Sequence, residues 1–197
     1  MKIALFILLI SCCMQNCFAQ TWKEEKYADG KLKAKGQVDS VGQKIGFWKT
    51  WYPDGHLNAE EYYKQGMLHG TCTYYGFGGL LQAKENWHAG VQSDSSKYWH
   101  PNGVLAKHGR FENSLYTGEW EFFAENGQRI RLGKYQRGVP HGAWTTWRSD
   151  GTLHEQSHYL EGKEDGEFLF FDEKGELEAI SKYKSGKQKG RTKKLKR

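Results

Sequence analysis

The sequence predicts an all-β protein, an elongated single-layer antiparallel β-meander built from about seven hairpin units of 24 residues. Glycines and aromatics recur at this interval with no insertion between units. The segments between turn signals hold only about five to seven residues and are rich in Trp, Tyr, Phe and Thr, which favours strands over helices. The periodic positions are Gly46, Gly70, Gly118, Gly142, Gly166 and Gly190; Gly55, Gly79, Gly103, Gly127, Gly151 and Gly175; and Tyr63, Trp87, Phe111, Tyr135, Tyr159 and Tyr183.

Each unit reads as strand, turn, strand, turn. In the unit 142–165 the first turn is Asp150-Gly151, a pair whose residues tolerate the positive φ of tight hairpins. The second turn, which ends near Gly162, links one hairpin to the next, so neighbours in sequence become neighbours in space. Seven units predict about fourteen strands, and every glycine is assigned to a hairpin.

Two places depart from the repeat. The first unit, with Tyr27, Gly30, Leu32 and Gly42, drops a residue at its turn and regains it, as expected of a capping copy. In the middle unit Asp94-Ser95-Ser96 removes the periodic glycine and the first aromatic, and Ser114 replaces another glycine. We therefore expect the centre of the array to bend or to carry a specific contact.

Side-chain alternation assigns the remaining aromatics to two faces, because residues two apart on a strand share a side. The face predicted to be packed carries Trp48, Tyr74, Tyr98, Trp120, Phe122, Trp144, Phe168 and Phe170. The opposite face carries one ring per unit among charged residues, and we call this row the aromatic strip: Trp51, Tyr75, Trp99, Phe123, Trp147 and Phe171. The strip is either a cross-strand stack or an exposed docking surface.

The N-terminus resembles an export signal, with Lys2 followed by the apolar run 3–10. Cleavage after Ala19 is one expectation, which makes residues 1–19 a signal peptide and places the protein in the periplasm or outside the cell. The alternative is a lipobox, Leu9-Ile10-Ser11-Cys12, which would leave Cys12 lipidated on an outer-membrane lipoprotein. Cleavage after Ala19 leaves Cys72 as the one cysteine, with no partner for an internal disulfide, and we expect it to be a small apolar filler at the repeat position of Trp48.

Charge is unevenly distributed along the chain, whose net charge is +6. Residues 20–181 hold 19 Lys and Arg against 23 Asp and Glu, whereas residues 182–197 hold nine basic residues and no acidic one. We place the repeat array at 20–190 and a basic tail at 191–197. The tail either guards the last sheet edge or contacts an anionic surface.

Residues that carry chemistry do not converge in the sequence. His154 and His158 lie on one strand face but roughly 13 Å apart, too far to ligate one ion. The acidic residues near Glu164 and Asp172 lie beside turns, where charges are usually solvated, and no glycine-rich loop resembles a phosphate cradle. We expect no metal, no cofactor and no enzymatic activity.

The motifs Gly138-Val-Pro-His141-Gly142-Ala-Trp144 and Gly66-Met-Leu-His69-Gly70 resemble MORN repeats. The 24-residue spacing with an Asp/Asn-Gly turn is similar to the MORN-variant repeat of the YwqK-type antitoxin family, over residues 27 to 190. The resemblance implies a hairpin sheet that serves as an interaction or scaffold module without catalytic chemistry. In the antitoxin-named family it implies neutralisation of a toxin protein by binding.

Three functions remain open at this point. The leading hypothesis is a protein-binding or scaffold module outside the cytoplasm that uses the aromatic strip and the open surface of the sheet. The second is a glycan or cell-wall binder, since regularly spaced rings stack on sugar faces, and the third is a toxin-neutralising protein. We expect no nucleic-acid partner and membrane contact only through a lipidated N-terminus or the basic tail, and the oligomeric state stays open.

Overall fold

A computed structural model describes residues 20–195, so both leader alternatives, including lipidation of Cys12, lie outside the described residues. This part is all-β and contains no helix. Its strands are β1 (Thr21–Lys26), β2 (Leu32–Val38), β3 (Lys44–Trp51), β4 (Leu57–Lys64), β5 (Met67–Leu68), β6 (Gly70–Tyr75), β7 (Leu81–His88), β8 (Val91–Gln92), β9 (Asp94–Trp99), β10 (Leu105–Glu112), β11 (Leu115–Phe123), β12 (Arg129–Gln136), β13 (Val139–Trp147), β14 (Leu153–Leu160), β15 (Lys163–Glu164), β16 (Gly166–Phe171), β17 (Leu177–Lys184), β18 (Lys187–Gln188) and β19 (Lys193–Lys194).

All 19 strands form one open antiparallel sheet in which each long strand pairs with the next along the chain. The fourteen expected strands are the fourteen long ones. The five additional strands have two residues each, and four of them, β5, β8, β15 and β18, directly follow the second turn of a unit. The fifth, β19, pairs with β17, so the start of the basic tail forms the last edge of the sheet.

The first turn of each unit is a hairpin whose glycine alone takes a positive φ. In the turn 52–56 the Gly55 amide donates to the Tyr52 carbonyl at 2.9 Å, and Gly55 has φ 94°. Asp54 does not share this conformation, contrary to the sequence prediction for the Asp/Asn-Gly pairs. Its carboxylate accepts a hydrogen bond from the His56 amide at 3.0 Å, because Asp and Asn side chains readily bond the backbone two residues on.

In the six units after the first, the second turn is tighter, with positive φ at both central residues, as at Gln65 (53°) and Gly66 (75°). The second central residue also donates its amide to a carbonyl 22 residues earlier, at 2.8–3.0 Å. These bonds run from Gly66 to Lys44, Gly90 to Leu68, Ser114 to Gln92, Gly138 to Tyr116, Gly162 to Pro140 and Gly186 to Glu164. Each unit is therefore attached to the previous one at this turn as well as along the strands.

The packed face is built on indole rings that cover glycines of the preceding strand. A Cβ atom added at Gly36, Gly109 or Gly133 would overlap the ring of Trp48, Trp120 or Trp144, respectively. The assignment of every glycine to a hairpin is therefore wrong for these three, which lie inside strands. Their role is close approach: without a side chain, the strand lets a large ring lie flat on it.

Residue volume at this position is matched between neighbouring strands. A tryptophan lies opposite a glycine of the preceding strand three times, and Phe168 lies opposite Ser157. Conversely, the small residues Cys72 and Ser96 lie opposite the larger Glu61 and Glu85 of the preceding strands. Cys72 is fully buried, which confirms its structural role, and burial raises the pKa of its thiol. Four of the predicted packed residues are only half-buried, because the residue two positions earlier on the same strand holds the innermost position: Tyr74, Tyr98, Phe122 and Phe170.

From residue 111 onward the packed face is a continuous row of rings whose successive centroids lie 4.6–6.4 Å apart, mostly edge to face. Its members are Phe111, Trp120, Tyr135, Trp144, Tyr159, Phe168 and Tyr183. Because a single sheet has no second layer, these contacts between neighbouring units replace a shared core.

The centre of the array replaces this row with hydrogen bonds. The Tyr98 hydroxyl donates to Glu85 at 2.8 Å and accepts from the Gln92 amide group at 2.9 Å. Gln92 also donates to Ser96 at 3.3 Å. Asp94 takes the positive φ of the missing glycine, at 59°, and pairs with Phe111, so the register continues without a shift at this residue. This cluster distinguishes the centre from the other units, and the expected bend or specific contact there stays a prediction.

Candidate functional site

The aromatic strip lies on the face opposite the buried indoles, and all six of its side chains are half-buried. In the N-terminal units the Tyr75 hydroxyl donates to Glu60 at 3.2 Å, and Glu60 pairs with Lys49 at 2.7 Å. Lys49 holds the pKa of the Glu60 carboxyl below its ordinary value, mainly through this hydrogen bond. The ring of Tyr75 thus borders an ion pair rather than another ring.

In the C-terminal units the strip is bordered by a longer charged chain. His108 stacks on Phe123 with ring centroids 5.8 Å apart and contacts Glu121 at 3.5 Å. Glu121 accepts a hydrogen bond from Arg129 at 3.0 Å, and the Arg129 guanidinium lies 4.7 Å from the ring centroid of Trp147. Cation–π contacts of this kind contribute about 0.5–1 kcal/mol at exposed sites.

The strip rings do not stack on one another. Within residues 20–195 no ring contact joins two strip members, because successive members lie two strands apart, roughly 10 Å. Continuous stacking belongs to the packed face. Each strip ring keeps part of its surface open between charged neighbours.

Hydrogen bonds from the preceding hairpin hold the strip backbone in place at four of its six residues. The first residue of a hairpin loop donates its side chain to the carbonyl of the strip residue in the next unit. The pairs are Tyr27 to Trp51 at 2.7 Å, Tyr52 to Tyr75 at 2.9 Å, His100 with Phe123 at 2.8 Å and Arg148 to Phe171 at 2.6 Å. The equivalent donors for Trp99 and Trp147 would be Gly76 and Ala124, whose side chains carry no polar group. These bonds were not predicted from the sequence, although their spacing of 23 or 24 residues follows the repeat.

The packed face opens into two clefts, each at a threonine. Tyr74, Tyr98, Phe122 and Phe170 fill one repeat position with a ring, whereas Thr50 and Thr146 leave it open. A cleft of about 280 Å³ lies at Thr50 and one of about 540 Å³ at Thr146. Tyr135, Trp144 and Tyr159 line the larger cleft together with Arg131 and Glu155. Burial raises the pKa of Tyr159, and the Glu155 carboxylate raises it further.

Groups that could carry metal chemistry or catalysis do not converge. Across residues 20–195 no three His, Cys, Asp or Glu side chains form a metal-binding group. The His158 ring bonds the Asp165 carbonyl at 2.9 Å. Two acidic residues of the cluster noted in the sequence pair with lysines: Asp165 with Lys184 at 3.1 Å and Glu167 with Lys182 at 3.0 Å. The Ser185 amide, and then Lys184, lower the pKa of Asp165.

No helix in the described part of the chain has the length and apolar character needed to cross a bilayer. Comparison with curated proteins gives no match to this chain. The family model of the MORN repeat variant matches residues 46–65, 116–137 and 164–185. These segments cover most of the strand pairs β3–β4, β11–β12 and β16–β17, so three of the hairpins in this sheet are MORN-variant repeats.

Proposed function

We propose that this chain is a non-enzymatic binding or scaffold module and that the aromatic strip docks another protein. One observation carries the proposal: every unit from Trp51 onward presents one half-buried ring that contacts no other strip ring, and charged side chains border Tyr75 and Trp147. Aromatic side chains are enriched among residues that dominate binding energy, because they bring large contact area at low entropic cost.

The charges beside the rings favour a protein partner. Lys49 with Glu60, and Arg129 with Glu121, place both signs next to the strip. Mixed charges at the rim of an interface fix register and partner choice more than they add affinity. Carbonyl bonds such as that from Tyr52 to Tyr75 hold the strip backbone before a partner arrives, which lowers the entropic cost of binding.

The test is quantitative capture by the full chain from the cell envelope of its native organism after mild cross-linking. We expect at least one protein to be recovered with the wild type and reduced at least tenfold with the double variant Trp99→Ala/Trp147→Ala. The matched control is Trp22→Ala/Phe47→Ala, which removes two rings that are 63% and 73% exposed and lie outside the strip. Equal recovery with all three chains would refute the strip as a docking surface.

A glycan or cell-wall polymer is the second candidate, favoured by the regular ring spacing of roughly 10 Å along the sheet. Tryptophan fluorescence titrated with peptidoglycan or polysaccharide fragments distinguishes it from the protein-binding proposal. Quenching that disappears in Trp99→Ala/Trp147→Ala supports sugar binding. A fluorescence spectrum that stays unchanged across the titration excludes sugar binding.

Export and toxin neutralisation are further parts of the proposal. Intact-mass measurement on native material distinguishes a chain that starts near Gln20 from one lipidated at Cys12, and an unprocessed mass contradicts both. Membership of the YwqK-type antitoxin family predicts a toxin encoded by a neighbouring gene and a stable stoichiometric complex with it. Co-expression that leaves the neighbouring products harmless and unbound contradicts this role.

A further inference from the structure

The larger cleft on the packed face lies between two opposite charges. Across the strands the row of directly paired residues is Phe122, Arg131, Thr146, Glu155 and Phe170. Arg131 and Glu155 therefore flank the threonine, one on each neighbouring strand, about two strand spacings or 10 Å apart. The cleft of about 540 Å³ between them falls within the size range of small-ligand sites.

The two charges are not joined to each other by an ion pair within residues 20–195. The Arg131 guanidinium instead lies 5.6 Å from the ring centroid of Phe122, which is on the far side of Arg131 from Thr146. Glu155 is half-buried. The pKa of Tyr159 is raised mainly by burial and further by Glu155, and it is lowered by Arg131, so both charges act on the same lining ring. The cleft therefore has a cationic wall, an anionic wall and an aromatic lining.

We propose that this cleft binds a short peptide with free termini, with its carboxylate on Arg131 and its ammonium group on Glu155. Arginine matches a carboxylate with two parallel donors, and a carboxylate accepts bonds from an ammonium group. A dipeptide or tripeptide spans roughly 7–10 Å at 3.3–3.6 Å per residue, which fits the separation of the two walls. Its apolar side chains lie on Trp144, Tyr135 and Tyr159.

The second cleft serves as an internal comparison. At Thr50 the directly paired residues are Ala34 and Ala59. The charged residues that line this cleft, Glu25, Lys33, Lys44 and Glu61, are therefore not paired across the threonine as Arg131 and Glu155 are. Its volume is about 280 Å³. We expect one peptide per chain, bound at Thr146 and not at Thr50.

The test is a calorimetric titration of the full chain with each of three ligands. These are the free dipeptide leucyl-phenylalanine, its N-acetyl form and its C-terminal amide. We expect the free dipeptide to bind at least tenfold more tightly than either blocked form, with one site per chain. Arg131→Gln removes the preference over the amide, and Glu155→Gln removes the preference over the acetylated form. Lys134→Gln, on the same strand as Arg131, removes an equal charge and leaves binding unchanged.

Thr146→Phe provides a variant that keeps the fold. Phe122 and Phe170 show that this repeat position accepts the ring, so the variant fills the cleft without disturbing the sheet. We expect it to lose at least tenfold in affinity with an unchanged circular dichroism spectrum. Absence of binding up to 10 mM dipeptide, equal binding of the blocked forms, or full binding by Thr146→Phe would each overturn the proposal. Trp147 of the strip also lines this cleft, so no Trp147 variant is used in this test. The blocked dipeptides report on Arg131 and Glu155, which are not strip residues, so failure of the strip as a docking surface leaves this result unaffected.

Discussion

The region from residue 61 to 98 and the region from 109 to 183 use the same strand register but stabilise it differently. The later region stacks Trp120, Trp144 and Phe168 over glycine or serine and continues as a row of rings. The earlier one puts Cys72 and Ser96 in the same positions and fills the space with glutamate, tyrosine and glutamine. The backbone repeat thus tolerates either an apolar or a hydrogen-bonded contact between units, provided that the summed volume is conserved.

The largest effect that separates the two regions is expected at the buried position itself. Trp120→Ala removes a fully buried indole from the ring row and should lower the free energy of unfolding by about 3–5 kcal/mol. Ser96→Ala, at the equivalent position, loses one hydrogen bond and should cost about 1 kcal/mol. Urea denaturation followed by circular dichroism measures both. Equal costs would show that the two contacts contribute alike.

The volume rule predicts that the centre can be converted to the ring pattern. Ser96→Trp alone should cost about 1–3 kcal/mol, because Glu85 fills the space that glycine leaves open under Trp120. Adding Glu85→Gly should recover at least half of that cost, which a double-mutant cycle on the free energy of unfolding measures. Strictly additive costs would exclude direct contact between the two positions.

A smaller effect is expected where the centre lacks the periodic glycine. Asp94 holds φ 59° at a position that is Gly118 in the next unit. Its ion pair with Arg110 is 3.5 Å long and largely exposed, so it contributes little. Asp94→Gly should therefore raise the free energy of unfolding by about 0.5–1 kcal/mol. The reciprocal control, Gly118→Asp, should lower it by a similar amount, and a loss of stability in Asp94→Gly would contradict the argument.

The smallest effect concerns the strip face, where the early units border Tyr75 with a lysine–carboxylate pair. Glu60→Gln should cost about 0.2–0.5 kcal/mol at neutral pH, since the pair is largely exposed. The folded pKa of Glu60 lies below 4.5, so its contribution is present above that pH and is lost as the pH falls through the folded value. Denaturation at pH 7 and pH 3 measures the difference between the two proteins. If the difference in free energy of unfolding between wild type and Glu60→Gln were larger at pH 3 than at pH 7, this prediction would be wrong.

Much of the architecture could be predicted from the sequence, because hairpins are local. Gly55 and Gly66 mark the two turns of a unit, and the constant spacing allows no topology other than a succession of neighbours. The strip could be predicted for the same reason, since alternation along a strand fixes its face. The clefts could not be predicted, because they depend on the space that the small side chains of Thr50 and Thr146 leave between neighbouring strands.

The sequence by itself therefore determined the repeat, the order of the strands and the alternation of side chains between the two faces. Only the tertiary structure decided that Gly109 and Gly133 lie under indole rings, that Tyr52 and Arg148 bond the next unit, and that Arg131 faces Glu155 across a cleft. The reason is physical: the period records contacts along a strand, whereas these features depend on which neighbouring strand a side chain leans over.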